Sequence, residues 1–540
     1  MQTHYIFITG GVLSGLGKGI ATASIGKILQ FRGFKVAPIK IDGYLNFDAG
    51  TLRPTEHGEV WVTEDGGEID QDLGHYERFL DINVPKENNI TSGQIFWSVI
   101  KKEREGKYLG KTVQLIPHVT DEIKSRIREI GKKSQADFVL VEIGGTVGDY
   151  ENQLFIEAAR QMKAEGEKCI YIHISYLPVP KYLGEQKTKP TQHSVQKLRE
   201  LGIIPDFIIC RSETFVDDVR KEKIALFCNV KKEDVISDPD LENVYELPLI
   251  FEEQNLGKRI LEKFGLEEVK VSLEEWKKLV EKVKSLEREV KVGIVGKYFD
   301  IGEFILKDSY ISVIEAVKHA AWQNDLKPEI IWVDSKNFER EPDKIEILKS
   351  VDGVIVPGGF GKTGIEGKIA AIKYVRENKI PFLGLCLGLQ LAVIEFARNV
   401  CKLKNANSTE FEPNTPYPVI DILPEQKKLI EESKYGATMR LGSCTAILKE
   451  GSIVWKLYGK QREIKERHRH RYEVNPEFHE ILQKNGLVFS GVSPDGRLVE
   501  FIELEDHPFF VATQAHPEFK SRPLKPAPLF DGFIKACRKW

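Results

Sequence analysis

Cys386 stands in Gly384-Leu385-Cys386-Leu387-Gly388, and far downstream the chain reads His516-Pro517-Glu518. A cysteine between glycines at a strand-to-helix turn, with a distant His-x-Glu, is the set that an acyl-transfer nucleophile needs. Ile380-Pro381-Phe382-Leu383 reads as a short buried strand and Leu389 to Arg398 as a helix. The turn between them pushes the sulfur out at a helix N-terminus, where the dipole and free backbone N–H groups favour thiolate. His516 is then the base and proton shuttle, and Glu518 fixes its tautomer. The small flanking residues give a strained nucleophile elbow its room. As one of seven cysteines, Cys386 read alone is an ordinary buried thiol. The His-x-Glu weighs against that reading.

A second constellation opens the chain. Tyr5 to Thr9 reads as a strand, followed by Gly10-Gly11-Val12-Leu13-Ser14-Gly15-Leu16-Gly17-Lys18-Gly19 and a helix from about Ile20 to Gln30. Strand, glycine loop and helix offer backbone N–H groups and a positive helix end to phosphates, with Lys18 as the point charge. The match to a P-loop is imperfect: the first glycine comes one position early, and Gly19 replaces the Ser or Thr hydroxyl that would touch magnesium. Carboxylates must then hold the metal. Asp72, in the acidic glycine-containing stretch Glu64 to Gly74, and Glu142, ending the apolar strand Asp137 to Val141, fit that role. Ligands of open α/β sheets collect at the carboxyl ends of strands, and a charge ending a buried strand is expensive without a partner. Asp65, Glu68 and Asp70 read as a solvated acidic loop.

These residues need two folded frames. At 540 residues the chain allows two to four domains, at roughly 150 residues each. Ser272-Leu273-Glu274-Glu275 is a capping box, and Leu273, Trp276, Leu279, Val280, Val283 and Leu286 form one apolar stripe of a linking helix. Lys291 to Gly296 then reads as a fresh strand. Apolar strands alternate with amphipathic helices on both sides, so both halves are expected to be doubly wound α/β sheets. The boundaries expected are 1–266, a helical linker 267–290, and 291–540; the stretch from about Lys402 to Gly442 reads as irregular. Net charge is −3 with 29% charged residues, which points away from nucleic acid and membranes as partners. Arg467-His468-Arg469-His470-Arg471 is too short for a nucleic-acid surface. Seven scattered cysteines without C-x-x-C predict a reducing, cytoplasmic setting and no zinc site. No signal peptide precedes Tyr5, and no apolar run approaches the roughly 20 residues of a spanning helix.

The order of motifs resembles the CTP synthase family over nearly the whole chain. The resemblance is carried by Gly10 to Gly19, Lys40-Ile41-Asp42, Asn46 to Gly50, Glu56 to Val60, Asp72 to Arg78, Glu142 to Asp149, Lys187 to Ser194 and Lys223 to Cys228. In the second half it rests on Pro357 to Gly361, the Cys386 elbow, Asn405 to Glu410, Arg467 to Tyr472 and His516 to Glu518. It implies an N-terminal P-loop-like amidoligase and a C-terminal class I glutaminase. The glutaminase releases ammonia through a Cys386 thioester, while ATP phosphorylates the 4-oxygen of UTP, which ammonia then displaces to give CTP. By resemblance Ser14, Gly15, Leu16, Gly17, Lys18, Gly19, Ile20 and Lys40 serve the nucleotide phosphates, and Asp72 and Glu142 hold Mg2+. Lys187, Thr188, Lys189, Pro190, Thr191, Gln192 and Lys223 resemble the UTP site, shared with the feedback inhibitor CTP along with Ser14, Asp149, Tyr150 and Glu151. Gly359, Leu387, Gly388, Leu389, Gln390, Glu410 and Arg471 resemble the glutamine site, with the Gly359 and Leu387 N–H groups as oxyanion donors. GTP as allosteric activator and a homotetramer that shares its nucleotide sites between subunits are implied too. Three positions depart from the family: Gly43 replaces a usual proline, Gln71 a usual leucine and Thr363 a common arginine beside the glutamine site. The last predicts weak GTP activation. Two rival readings are another glutamine-dependent amidoligase, such as one acting on a cobalamin precursor, and a regulatory P-loop ATPase with a degenerate glutaminase. The former lacks a counterpart of Lys187 to Gln192; the intact Cys386, His516 and Glu518 weigh against the latter.

Overall fold

The computed structural model describes residues 3–269, 271–296, 307–422 and 439–538. They form two compact units, Met1–Thr51 with Ile69–Val280, and Leu52–Glu68 with Glu281–Trp540. The sequence reading kept the 52–68 segment with the first half, whereas here it packs with the second unit.

Seven strands build the sheet of the first unit: β1 (His4–Gly11), β2 (Val36–Asp42), β3 (Asn89–Thr91), β4 (Phe138–Ile143), β5 (Lys168–Tyr176), β6 (Phe207–Ser212) and β7 (Val235–Pro239). Their spatial order is β3-β2-β4-β1-β5-β6-β7, and every neighbouring pair is parallel. Runs such as Phe138-Val139-Leu140-Val141 are apolar without alternation because helices cover both faces of a parallel sheet. The helices that matter for the sites are α1 (Lys18–Gln30), α2 (Asp72–Leu80), α3 (Ser92–Arg104), α4 (Gln153–Ala164), α5 (Lys189–Glu200) and α6 (Asp218–Cys228). β1, α1 and the loop between them match the sequence reading, with α1 starting two residues earlier than predicted.

The divide between units falls inside α7 (Glu274–Lys284), the predicted linking helix. Its Trp276 is buried and donates from Nε1 to the Tyr245 carbonyl at 2.7 Å. The second unit has strands β8 (Glu289–Gly296), β9 (Lys327–Asp334), β10 (Gly353–Val356), β11 (Phe382–Leu385), β12 (Arg440–Leu448), β13 (Glu463–His470), β14 (Val488–Val492), β15 (Val499–Glu503) and β16 (Phe510–Thr513). They lie in the order β9-β8-β10-β11-β16-β15-β14-β12-β13, with β9, β8, β10, β11 and β16 parallel and the rest antiparallel. Helices α8 (Ile311–Gln323), α9 (Ile365–Glu377), α10 (Leu387–Asn399) and α11 (Pro528–Cys537) belong to this unit. The stretch read as irregular contains two short strands, Asn407–Ser408 and Pro418–Ile422, that pair into a small sheet with Tyr472–Val474. Residues 423–438 lie outside the described residues.

Candidate active sites

Cys386 is the turn between β11 and α10, at φ 50° and ψ −99°. A non-glycine residue holds such a conformation only when its surroundings impose it. They do: the Cys386 N–H donates to the Thr513 carbonyl at 2.7 Å, fixing the turn to β16. A Cβ on Gly388 would lie 2.2 Å from the Val356 carbonyl oxygen, so glycine lets the first turn of α10 seat on the end of β10. α10 begins at Leu387, placing Leu387, Gly388 and Leu389 in that buried first turn.

His516 comes to the sulfur from the loop after β16. A Cβ on Gly358 would lie 2.8 Å from His516 Cε1 and 3.6 Å from Cys386 Cβ, so ring and thiol share one small space. His516 Nδ1 donates to Glu518 Oε1 at 2.7 Å. That fixes the tautomer and leaves Nε2 for the hydrogen bond with Cys386. Burial alone would lower the His516 pKa, but the charges of Glu518 and then Cys386 outweigh it and push it up to about 10. A buried acid–base pair of this kind can cleave an amide: thiolate attacks, and the imidazolium protonates the leaving nitrogen.

A cavity of about 70 Å³ opens on this pair. Gly358, Gly359, Phe360 and Arg469 line it, with Pro54, Glu59 and Val60 from the 52–68 segment. Gly361 N–H donates to Glu410 Oε1 at 3.0 Å, tying the Gly359 loop to the glutamate that resembles a glutamine ligand. Gln390 Nε2 donates to the Tyr472 carbonyl at 3.0 Å, next to the half-buried Arg471. The basic stretch 467–471 is mostly strand β13 and largely internal: fully buried Arg467 donates to Glu64 Oε1 at 3.0 Å and to the Val62 carbonyl at 2.9 Å. Arg469 donates to Glu68 Oε1 at 2.7 Å and stacks 5.1 Å from the Phe360 ring. Glu68 is therefore buried and paired, which corrects its reading as a solvated residue. Sequence reasoning missed Arg469, because the glutamate that orients it lies some 400 positions upstream.

In the first unit, Val12, Leu13, Ser14 and Gly15 form an open loop after β1, and Gly17 takes φ 80° as the N-cap of α1. Leu16 is buried and Ile20 half-buried, anchoring the loop's far end. Lys18 is buried and donates to the Gly145 carbonyl at 3.0 Å; burial lowers its pKa. Gly19 has a plain structural reason: a Cβ there would lie 2.2 Å from Asp72 Oδ1. The Asp72 carboxylate fills the place of the missing hydroxyl.

Asp72 is the first residue of α2 and not part of an irregular loop. Sheet register sets Lys40 of β2 beside Glu142 of β4. Lys40 Nζ bonds Asp72 Oδ2, donates to Glu142 Oε1 at 3.1 Å, and lies 3.6 Å from Asp70 Oδ1 and 3.9 Å from Asp42 Oδ1. Burial opposes the Lys40 charge, yet these carboxylates outweigh it and raise its pKa well above normal. Asp72 is held at about 2 because Lys40 outweighs its burial, whereas burial pushes Asp70 up to about 7. Asp70 is thus a member of the cluster, correcting its reading as solvated. Glu142 is fully buried, accepts from the Tyr76 hydroxyl, and has its pKa raised by burial.

Among the described residues no group of three or more His, Cys, Asp or Glu side chains has the geometry to hold a metal by itself. Magnesium usually takes one or two carboxylates and completes its shell with phosphates and water. Asp72 and Glu142 are a hard-oxygen pair of that kind.

α5 packs on the start of the loop: a Cβ on Gly11 would lie 1.6 Å from Ser194 Oγ, and buried His173 bonds that hydroxyl at 2.8 Å. At its N-terminus Lys187 pairs with Glu185, and Gln192 Nε2 donates to Thr188 Oγ1 at 3.1 Å. Pro190 stands in the first turn, Lys189 lies 5.5 Å over the Phe227 ring, and Thr191 Oγ1 accepts from Ser175 Oγ at 2.9 Å. Asp149 Oδ2 accepts from the Thr146 N–H at 2.7 Å, while Tyr150 and Glu151 are exposed. Gly43 abuts that segment, leaving 2.7 Å between an added Cβ and Glu151 Cβ. Lys223 stands on α6.

A strained Cys elbow with a His–Glu partner on one sheet, and a lysine-bearing phosphate loop on another, define a glutamine amidotransferase fused to a nucleotide-dependent ligase. The family described as CTP synthase N-terminus matches residues 4–266, and that described as glutamine amidotransferase class-I matches residues 305–536. The CTP synthase of Methanocaldococcus jannaschii is 58% identical over 539 residues, covering 98% of each chain. Those of Methanococcus maripaludis (55% over 539 residues, covering 98% of this chain and 99% of that one) and Pyrococcus abyssi (53% over 542 residues, covering 100% and 98%) are similar too. Among solved structures, the glutaminase domain of Trypanosoma brucei CTPS with bound acivicin is 39% identical, covers 46% of this chain and 94% of that one, and has a TM-score of 0.43. The chain belongs to the CTP synthase family.

Proposed function

We propose that this chain aminates UTP to CTP at the cost of ATP, with nitrogen cut from glutamine, and that the two halves divide the work at the residues described above. The observation that carries the reading is the pairing, in one chain, of the Cys386–His516–Glu518 constellation with the Lys18 loop and the Lys40–Asp72–Glu142 cluster. In the glutaminase, Cys386 passes its proton to His516 and its sulfur bonds the side-chain carbonyl carbon of glutamine. N–H groups of Gly359 and Leu387 receive the oxyanion. His516 returns the proton to nitrogen as the C–N bond breaks, and water, deprotonated by His516, then frees glutamate from the thioester. Glu410, Arg471 and Gln390 orient the substrate, with Leu387, Gly388 and Leu389 forming the adjacent wall.

In the ligase, phosphoryl transfer from ATP to the uracil 4-oxygen needs positioning and charge neutralisation more than covalent help. The loop N–H groups from Ser14 to Ile20, with Lys18 and Lys40, serve the phosphates. Asp72 and Glu142 would hold Mg2+, which when bound neutralises phosphate charge. Lys187 to Gln192 and Lys223 take UTP, and with Ser14 and Asp149 to Glu151 take CTP as feedback inhibitor. GTP acts as a weak activator through the loop that holds Thr363. The protein works in the cytoplasm as a homotetramer. No helix among the described residues is long and apolar enough to cross a membrane.

The test is Cys386→Ala. It is expected to abolish CTP formation from glutamine and to leave synthesis from ammonium salt intact. Loss of both in a folded variant removes the two-site reading.

A further inference from the structure

Gln514 is wholly buried between β16 and His516. Its Nε2 points at Cys386 Sγ at 3.6 Å. Its Oε1 accepts from Gln390 Nε2 at 3.3 Å, and the same Gln390 amide donates to the Tyr472 carbonyl at 3.0 Å. This sequence of contacts has only one sense. A backbone carbonyl can only accept, so Gln390 must turn its NH2 to Tyr472. With that NH2 also facing Gln514, the Gln514 oxygen must answer it, and the Gln514 NH2 is left for the sulfur. The orientation is set by a main-chain atom three hydrogen bonds from the thiol. The Gln514 backbone is fixed as well: its N–H donates to the Glu500 carbonyl at 2.9 Å, and the Thr513 hydroxyl donates to the same oxygen at 3.1 Å.

We propose that Gln514 is a further catalytic residue of glutamine hydrolysis, whose amide N–H donates to the Cys386 sulfur and holds it as thiolate, with Gln390 and the Tyr472 carbonyl fixing the amide's sense. The inference rests on Cys386 being the nucleophile. The Cys386 sulfur also lies 3.8 Å from the Arg469 carbonyl oxygen, a weak alternative acceptor for the thiol proton when it is not directed at His516. Once His516 has taken the proton that contact is lost, and the Gln514 N–H meets a full negative charge. A hydrogen bond to an ion is worth more than one to a neutral sulfur. The contact therefore favours thiolate over both thiol and thioester, and weakens again as the C–S bond forms.

The test is the pH profile of Cys386 alkylation by iodoacetamide, followed on its own peptide by mass spectrometry, in the full chain and in Gln514→Met. Methionine keeps the length and removes the donor. The other ionisable groups around the sulfur stay in place: His516 and Glu518 after β16, Arg469, His468 and His470 on β13, and Glu59 of the 52–68 segment. The alkylation midpoint is expected to rise by about one pH unit. kcat/KM for glutamine should fall about 10-fold on the acid side and recover at high pH, which a merely structural role would not produce. An unshifted midpoint in a variant with native melting temperature overturns the proposal. If Gln514→Met does not fold, the isosteric Gln514→Glu is read the same way: its carboxylate should raise the midpoint further, and no rise again refutes the role. Failure of the underlying reading is separate, since it would show as glutamine hydrolysis surviving Cys386→Ala.

Discussion

Both sites hold ionisable groups out of water, with partners beside them that offset the cost of burial. His516 illustrates the consequence for stability. Its pKa is raised to about 10 in the fold, from an ordinary 6.5, chiefly through Glu518 once burial is offset. The folded state therefore binds the proton more tightly than the unfolded chain, and stability falls as pH rises between those values. The stabilisation is complete below about pH 6.5 and lost as pH climbs through about 10. Relative to Glu518→Gln, the parent should be more stable by on the order of 3 kcal/mol at pH 6, as expected for breaking a buried pair, with the gap closing towards pH 10. Denaturant unfolding at a series of pH values checks this; a gap that widens with pH would contradict the assignment. The Lys40 cluster leads to a second expectation. Gly19 offers no hydroxyl, and the carboxylate of Asp72 takes that position. Asp72→Asn and Glu142→Gln should each lower CTP synthesis at least 100-fold with either nitrogen source, while basal glutamine hydrolysis persists. Near-normal ammonia-dependent turnover at ordinary magnesium in either variant would show that the metal sits elsewhere.

Elements were legible where their cause is local. The β1 strand, the glycine loop and α1 follow from adjacent residues, as does the Cys386 elbow, because turn chemistry acts within a few positions. The acidic stretch was not legible. Glu68 looks like a solvated carboxylate until Arg469 arrives from strand β13, and Asp70 until Lys40 arrives from β2. Nothing within ten residues announces those partners. The same holds for Gln514, whose neighbour Gln390 lies on another element. The loop between β10 and α9 is the one proposed to carry GTP activation. Gly361 bonds Glu410, Gly364 caps α9 at φ 72°, and Thr363 is exposed between them. An arginine there would present a planar donor fork to a phosphate or base edge, each charged hydrogen bond adding about 1.5–3 kcal/mol; threonine offers one hydroxyl. Thr363→Arg is therefore expected to lower the GTP concentration for half-activation about 10-fold. Initial rates against GTP at saturating UTP, ATP and glutamine decide it. A strong response in the parent, undiminished beside the variant, would move the determinant off this loop.

At the scale of the whole molecule, the first unit exposes apolar side chains that a folded monomer normally hides. Trp97 and Ile100, three apart on α3, are 63% and 55% exposed, and Val219 and Leu226, seven apart on α6, are 65% and 78% exposed. Spacings of three and seven put each pair on one helix face. Single exposed apolar residues need no explanation, but two such faces on one unit mark surfaces for association. Lys223 falls between Val219 and Leu226 on the α6 face, so the lysine assigned to UTP stands on a surface suited to a second copy of the chain. Assembly and UTP binding should then be linked. In Leu226→Glu a carboxylate placed on that face opposes its burial, and the proposed tetramer should dissociate at micromolar concentration. Sedimentation velocity over a concentration series reads the assembly, and KM for UTP at each concentration reads the linkage. The dissociated variant is expected to show a KM for UTP raised at least 10-fold, with KM for glutamine changed little, because the Cys386 cavity is built within the second unit alone. High UTP or CTP should drive the variant back towards the tetramer, since a ligand bound across subunits stabilises the form that binds it. A variant that stays tetrameric would leave the α6 face to another purpose, and one that dissociates with its KM for UTP unchanged would place the nucleotide site within a single chain.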